Sequence, residues 1–122
     1  MWANTKSEEF KKRLYRLTLE VINFIEELPK DRVVEVISKQ LLRSATSICA
    51  NYIEAYAASS KRDYINYFNH SLKSANESKF WISLLKDTNK AKSLDALNLL
   101  KEVDEISKIL ASSIITMRKR TK

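Results

Sequence analysis

Residues 43–55 read RSATSICANYIEA. Ala45, Ile48 and Tyr52 recur here at the three- and four-residue steps of one helix face. The same turns carry Arg43, Ser47, Asn51 and Glu54, which at about 100° per residue fall within roughly 80° of one another. Leu42, Cys49 and Ile53 widen the apolar arc to one side. A helix with a core stripe and a separate polar line needs a neighbour that carries a polar face of its own.

Working outward, this helix starts near Asp31, adds Val34, Ile37 and Leu41 to its stripe, and breaks at Ser59 and Ser60. Ser60 and Asp63 have the spacing of a capping box, as do Thr5 and Glu8. A third helix follows through Tyr64, Phe68, Leu72, Ala75, Ile82 and Leu85, ending near Thr88 and Asn89. Upstream, Phe10, Leu14, Leu17, Val21, Phe24 and Leu28 define a first helix that stops at Pro29. Downstream, a fourth begins after Ser93 and runs through Leu97, Leu100, Val103, Ile106, Leu110, Ile114 and Met117. Each has roughly 22 to 28 residues, or about 33 to 42 Å. Four helices of matched length with short links predict an all-α fold, an up-down-up-down antiparallel four-helix bundle spanning residues 1–122 as a single domain.

Composition agrees. The chain has 122 residues, 44% hydrophobic and 30% charged, enough for one core and too ordered in pattern for a disordered chain. It contains no glycine and one proline, so tight hairpins and phosphate-cradling glycine loops are not expected. The single cysteine, Cys49, has no internal disulfide partner, and MWANTKSEEF at the start has no apolar signal region. No apolar run approaches the 18 or more residues of a membrane span. The expected location is cytoplasmic, away from the membrane.

The net charge of +7 is distributed unevenly. In the expected topology the start of helix 1, the turn between helices 2 and 3, and the end of helix 4 share one end. Residues 1–16 carry a net +3, Lys61, Arg62 and Asp63 a net +1, and Arg118, Lys119, Arg120 and Lys122 a further +4. These three segments total +8, leaving −1 for everything else. The candidate phosphate contacts are Lys11, Lys12, Arg13, Arg16, Lys61, Arg62, Arg118, Lys119, Arg120 and Lys122. Aromatic residues look sparse at that end, which argues against base-specific reading.

Helix 3 has a second face of its own, formed by His70, Ser74, Glu77 and Trp81. With a turn centred near Ser60, antiparallel partners have numbers summing to about 120. Arg43 then lies level with Glu77, and Glu54 level with Asn66. The expectation is a half-buried polar seam of Arg43, Ser47, Asn51, Glu54, His70 and Glu77 in which Arg43 and Glu77 pair. Catalysis is not expected: the carboxylates are turns apart and His70 is the only histidine. A di-iron bundle would need Glu-x-x-His repeats, which are missing, so no metal or other cofactor is expected.

The stretches QLLRSATSICANYIEA (40–55) and SSKRDYINYFNHSLKSANESKFWISLL (59–85) resemble a known family. It is that of the bacterial four-helix-bundle proteins first noticed in intervening sequences of large-subunit ribosomal RNA genes. The signature falls on Arg43, Ser44, Ser47, Asn51, Glu54 and Glu77, with the Ser-Lys-Arg-Asp turn between the halves. Ala55 departs from it, where many members have glycine, so the end of helix 2 is expected to be straighter here. The resemblance implies a ring-shaped homopentamer without enzyme activity. It also implies kinship with the accessory variability proteins of diversity-generating retroelements, which bind nucleic acid and a reverse transcriptase.

The residues agree on assembly, because Phe80, Trp81 and Leu84 fall away from the core stripe of helix 3. Leu42, Cys49 and Ile53 on helix 2 form the matching candidate surface of a head-to-tail ring. The expected function is non-enzymatic binding of nucleic acid, chiefly structured RNA, through the basic end. The alternative is an adaptor whose basic end docks on an acidic protein such as a reverse transcriptase.

Overall fold

Two short polar side chains decide where the middle helices begin. In the computed structural model, which describes residues 5–120, Asp31 accepts the Val34 amide at 2.8 Å and Ser60 accepts the Asp63 amide at 3.1 Å. Each satisfies an amide that has no partner in the first turn of a helix. They open α2 (Arg32–Ala55) and α3 (Lys61–Asp87), which α1 (Thr5–Glu26) precedes and α4 (Ser93–Lys119) follows. The Asp63 carboxylate accepts the Ser59 hydroxyl at 3.2 Å, so the serine half of the expected capping box forms and the carboxylate half goes to the preceding residue.

The α3–α4 turn needs one residue in the left-handed region. With no glycine in the chain, Asn89 takes it, at φ 60°. Asparagine tolerates this conformation better than most residues. The Lys90 amide then reaches the Leu85 carbonyl at 3.0 Å and the Asn89 amide reaches Lys86 at 3.0 Å, a Schellman closure of α3. Lys90 Nζ donates to Asp31 at 2.7 Å and ties this turn to the start of α2.

The four helices run up, down, up and down, each packed against its neighbours, and α4 returns to α1. The α2–α3 pair is the most intimate and the α1–α4 pair the least. Small side chains explain the intimacy: Ala45, Ser44, Ala75, Ser71 and Ser78 are all buried between α2 and α3. The register follows the expected rule. Tyr52 stacks near Phe68 with ring centroids 5.4 Å apart and Tyr56 near Tyr64 at 5.4 Å, and both pairs have numbers summing to 120.

Leu14, Leu17, Val21, Leu41, Ile48, Ile82, Leu85, Val103, Ile106 and Leu110 fill the core. The predicted stripes of α1 and α2 are buried, apart from a half-buried Phe10. Two stripes need correction. On α4, Ala96 and Leu99 are buried while Leu97 is 52% exposed and Leu100 only partly covered. Three successive three-residue steps from Leu97 to Ile106 put those two side chains on opposite sides of the helix. On α3, Tyr64 and Leu72 sit at the core margin, and Ser71 and Ser78 occupy its centre.

Candidate nucleic-acid interface

Cations from two of the three basic segments, the start of α1 and the end of α4, line one cleft. Ser7 Oγ near the start of α1 lies 3.2 Å from Tyr52 Oη near the end of α2. Lys6, Arg13 and Arg16 from α1 line the same cleft as Thr116 and Arg120 at the end of α4, and as Tyr56 and Tyr64 on either side of the α2–α3 turn. Lys61 and Arg62, at the start of α3, are exposed beside that turn. Lys12, Lys119 and Arg120 are exposed as well, and Arg118 lies on the same surface. Lys122 lies outside the described residues. Lys11 is 3.3 Å from Glu8, a loose surface pair that leaves its charge accessible.

Arg13, expected among the phosphate contacts, is committed elsewhere. Its Nε donates to Glu102 at 2.8 Å and its Nη2 to Glu102 at 2.7 Å and Glu105 at 2.9 Å. This fork clamps α1 to α4 where they otherwise touch least. The hydrogen bond from Arg13 holds the Glu102 carboxyl below its usual range, against the opposing effect of partial burial. With both acids satisfied, Arg13 braces the rim of the cleft and adds little free charge to it.

The cleft has a volume of about 590 Å³ and opens between α1 and α4. Its floor is aromatic, contrary to the expectation of few rings at this end. Phe10 contacts Tyr52 at 5.1 Å, Tyr52 contacts Tyr56 at 5.2 Å, and Tyr64 contacts Phe68 at 5.0 Å, mostly edge to face or tilted. Residues from three helices supply these rings, so no local stretch of sequence displays them together. The signal was available in the register: partners summing to 120 pair Tyr52 with Phe68 and Tyr56 with Tyr64.

The polar seam forms in part. Asn51 Nδ2 donates to the Ser47 carbonyl at 2.9 Å and to Ser47 Oγ at 2.8 Å, and Ser74 Oγ bonds Ser47 Oγ at 2.9 Å. Beneath them, Ser44 and Ser78 share a 2.8 Å bond and Ser71 donates to the Ile48 carbonyl at 2.7 Å. The seam is thus a ladder of serines, of which the sequence reading found Ser47 and Ser74 and missed the buried rungs. The expected Arg43–Glu77 ion pair does not form within the chain. Both residues are exposed, and Glu77 accepts the indole N–H of Trp81 at 3.1 Å. They are level along the bundle, as predicted, but too far round their helices to enter the seam. Glu54 and His70 are exposed too.

On the candidate subunit surface, Phe80 is 57% exposed, with Leu42 and Ile53 also open to solvent. Trp81 and Leu84 are half covered by their own core, and Cys49 is buried at 8% exposure. Those three contribute less surface than expected: Cys49 on α2 turns into the core, and Trp81 and Leu84 on α3 pack against its edge. Among the described residues no cluster of three or more histidine, cysteine, aspartate or glutamate side chains could hold a metal ion, and no helix is long and apolar enough to cross a membrane.

Comparison with known proteins places the chain among relatives. A family model described as 23S rRNA-intervening sequence protein matches residues 6–112. A crystal structure of a protein of unknown function from the S23 ribosomal protein family of Bacteroides thetaiotaomicron superimposes with a TM-score of 0.83. The two chains are 35% identical, and the alignment covers 90% of this chain and 98% of that one. No curated protein matches.

Proposed function

This chain belongs to the 23S rRNA-intervening sequence protein family, and from that membership and its charge distribution we propose a non-enzymatic protein that binds nucleic acid, chiefly structured RNA, through its basic end. The observation that carries the reading is that Lys6 and Arg16 of α1 and Arg120 at the end of α4 line one cleft, with the exposed Lys61 and Arg62 beside the neighbouring α2–α3 turn. Neutralising phosphates there releases counterions, which gives affinity without sequence preference. Assembly into a homopentameric ring would repeat the basic end around one rim and multiply its phosphate contacts. The exposed Phe80, Leu42 and Ile53 support such assembly, since they offer apolar surface on two different helices. Kinship with retroelement accessory proteins, and a reverse transcriptase as protein partner, belong to the same reading.

The test is an anisotropy titration of duplex DNA and structured RNA at several salt concentrations. Binding should be tight at low salt and fall linearly on a log–log plot as salt rises. If the purified protein binds neither at about 50 mM salt, where phosphate contacts are strong, the reading fails. An adaptor docking on an acidic protein would then replace it.

A further inference from the structure

Charge alone does not account for the cleft between α1 and α4. Its volume of about 590 Å³ falls within the range of sites that enclose a ligand group. The floor is a linked set of rings from α1, α2 and α3, of which Tyr56 is 37% exposed and Phe10 half-buried. Hydroxyls converge among them: Tyr52 Oη lies 3.0 Å from Tyr56 Oη and 3.2 Å from Ser7 Oγ. Burial pushes the Tyr52 and Tyr64 phenols well above their ordinary range, so both stay neutral and can donate or accept hydrogen bonds. The rim carries Lys6, Arg16 and Arg120 as cations, with Arg13 braced on Glu102 and Glu105, against one lining carboxylate, Glu9.

An apolar, π-rich floor under a cationic rim fits one chemistry best, a flat aromatic ring flanked by negative charge. A double helix offers the charge but keeps its rings stacked inside. A single strand offers both, and stacking on aromatic side chains is the usual way proteins hold it. We propose that the α1–α4 cleft receives an unstacked nucleobase of a single-stranded segment, with Lys6, Arg16 and Arg120 on the flanking phosphates. The proposal rests on the nucleic-acid reading of the basic end and adds to it a preference for loops, bulges and ends over continuous duplex.

The experiment compares a short single-stranded RNA with an abasic strand carrying the same number of phosphates, titrated by anisotropy against the unaltered protein at one salt concentration. One stacked base is worth about 1–3 kcal/mol, so the abasic strand should bind roughly 5- to 150-fold more weakly. Tyr56→Ala should narrow that difference by weakening the base-bearing strand more than the abasic one, and Tyr56→Phe should preserve it. Equal binding of the two strands overturns the cleft proposal while leaving the phosphate-binding surface standing. Loss of both strands to the same degree in Tyr56→Ala also overturns it. Failure of the unaltered protein to bind either strand overturns this proposal and the nucleic-acid reading together. The abasic comparison needs no variant, so its outcome is independent of how a substituted chain folds.

Discussion

Ser44 on α2 and Ser78 on α3 face each other with their hydroxyls 2.8 Å apart, both almost wholly buried. Each also lies within hydrogen-bond reach of a carbonyl in its own helix, Leu41 at 3.1 Å and Ser74 at 2.9 Å. A hydroxyl has one hydrogen, so one serine bonds within its helix while the other bonds across. The pair is small enough to let the helices close and polar enough to fix which residues meet. Replacing Ser78 with leucine should therefore cost about 1–3 kcal/mol or more by overpacking. Ser44→Ala alone should cost about 1 kcal/mol, and Ser44→Ala with Ser78→Ala less than the two singles added, because no buried hydroxyl is left without its partner. Urea denaturation of these variants and of Ser78→Ala alone checks this.

The Arg13 fork sets an acid limit on stability. Its bond to Glu102 lowers the folded-state pKa of that carboxyl below the unfolded value. The stabilisation is therefore fully present above the unfolded glutamate pKa of about 4.3, and it is lost as pH falls through the lower folded value. Arg13→Gln should remove about 1 kcal/mol at neutral pH and make the acid side of the stability profile shallower. Thermal melts of both proteins from neutral pH into the acid range provide the measurement.

Arg43 and Glu77 should tolerate change. Since both are exposed and unjoined, Arg43→Ala should shift stability by less than about 0.5 kcal/mol. Glu77→Ala removes a bond to Trp81 at the surface and should cost under about 1 kcal/mol. A loss of several kcal/mol from either, seen in denaturant unfolding at low protein concentration, would show a buried role that the single chain does not display.

The exposed cations of the basic end should act alike on unrelated sequences. Lys61→Gln with Arg62→Gln, or Lys119→Gln with Arg120→Gln, should weaken duplex and structured RNA by similar factors. Each lost phosphate contact should reduce the log–log salt slope by about 1. Arg13→Gln should change that slope far less, because its charge is already spent on Glu102 and Glu105.

Assembly is tested at Phe80, the most exposed of the three apolar residues on that part of α3. Light scattering at micromolar concentration should give a multi-subunit mass, and Phe80→Glu should lower it. A monomeric mass for the unaltered chain would remove the ring.

Helix number, order and register were legible in the sequence because apolar periodicity and caps are local signals. Asp31 and Ser60 announce α2 and α3, and the α1 and α2 stripes repeat without a slip. The first turns of the α4 stripe differ from the expectation because Leu97 and Leu100 are more hydrophobic than the smaller Ala96 that is buried. Arg43 was placed at the right height and the wrong angle, a distinction that a register rule cannot make. The cationic part of the candidate site followed from topology. Its aromatic floor is spread over three helices: the register rule pairs Tyr52 with Phe68 and Tyr56 with Tyr64, while Phe10 joins them only through the packing of α1.

The unequal closeness of the helix pairs gives the bundle a hinge and a spine. The α2–α3 hairpin, knit by serines and joined by a short turn, should hold its amides against hydrogen exchange up to the free energy of global unfolding. α1 packs less closely on its neighbours, with the Arg13 fork joining it to α4, so its amides should exchange through smaller openings, like a cover lifting from a bound edge. The floor rings belong mostly to the spine and the cations mostly to the cover. Each such opening would widen the mouth of the cleft while leaving its floor in place.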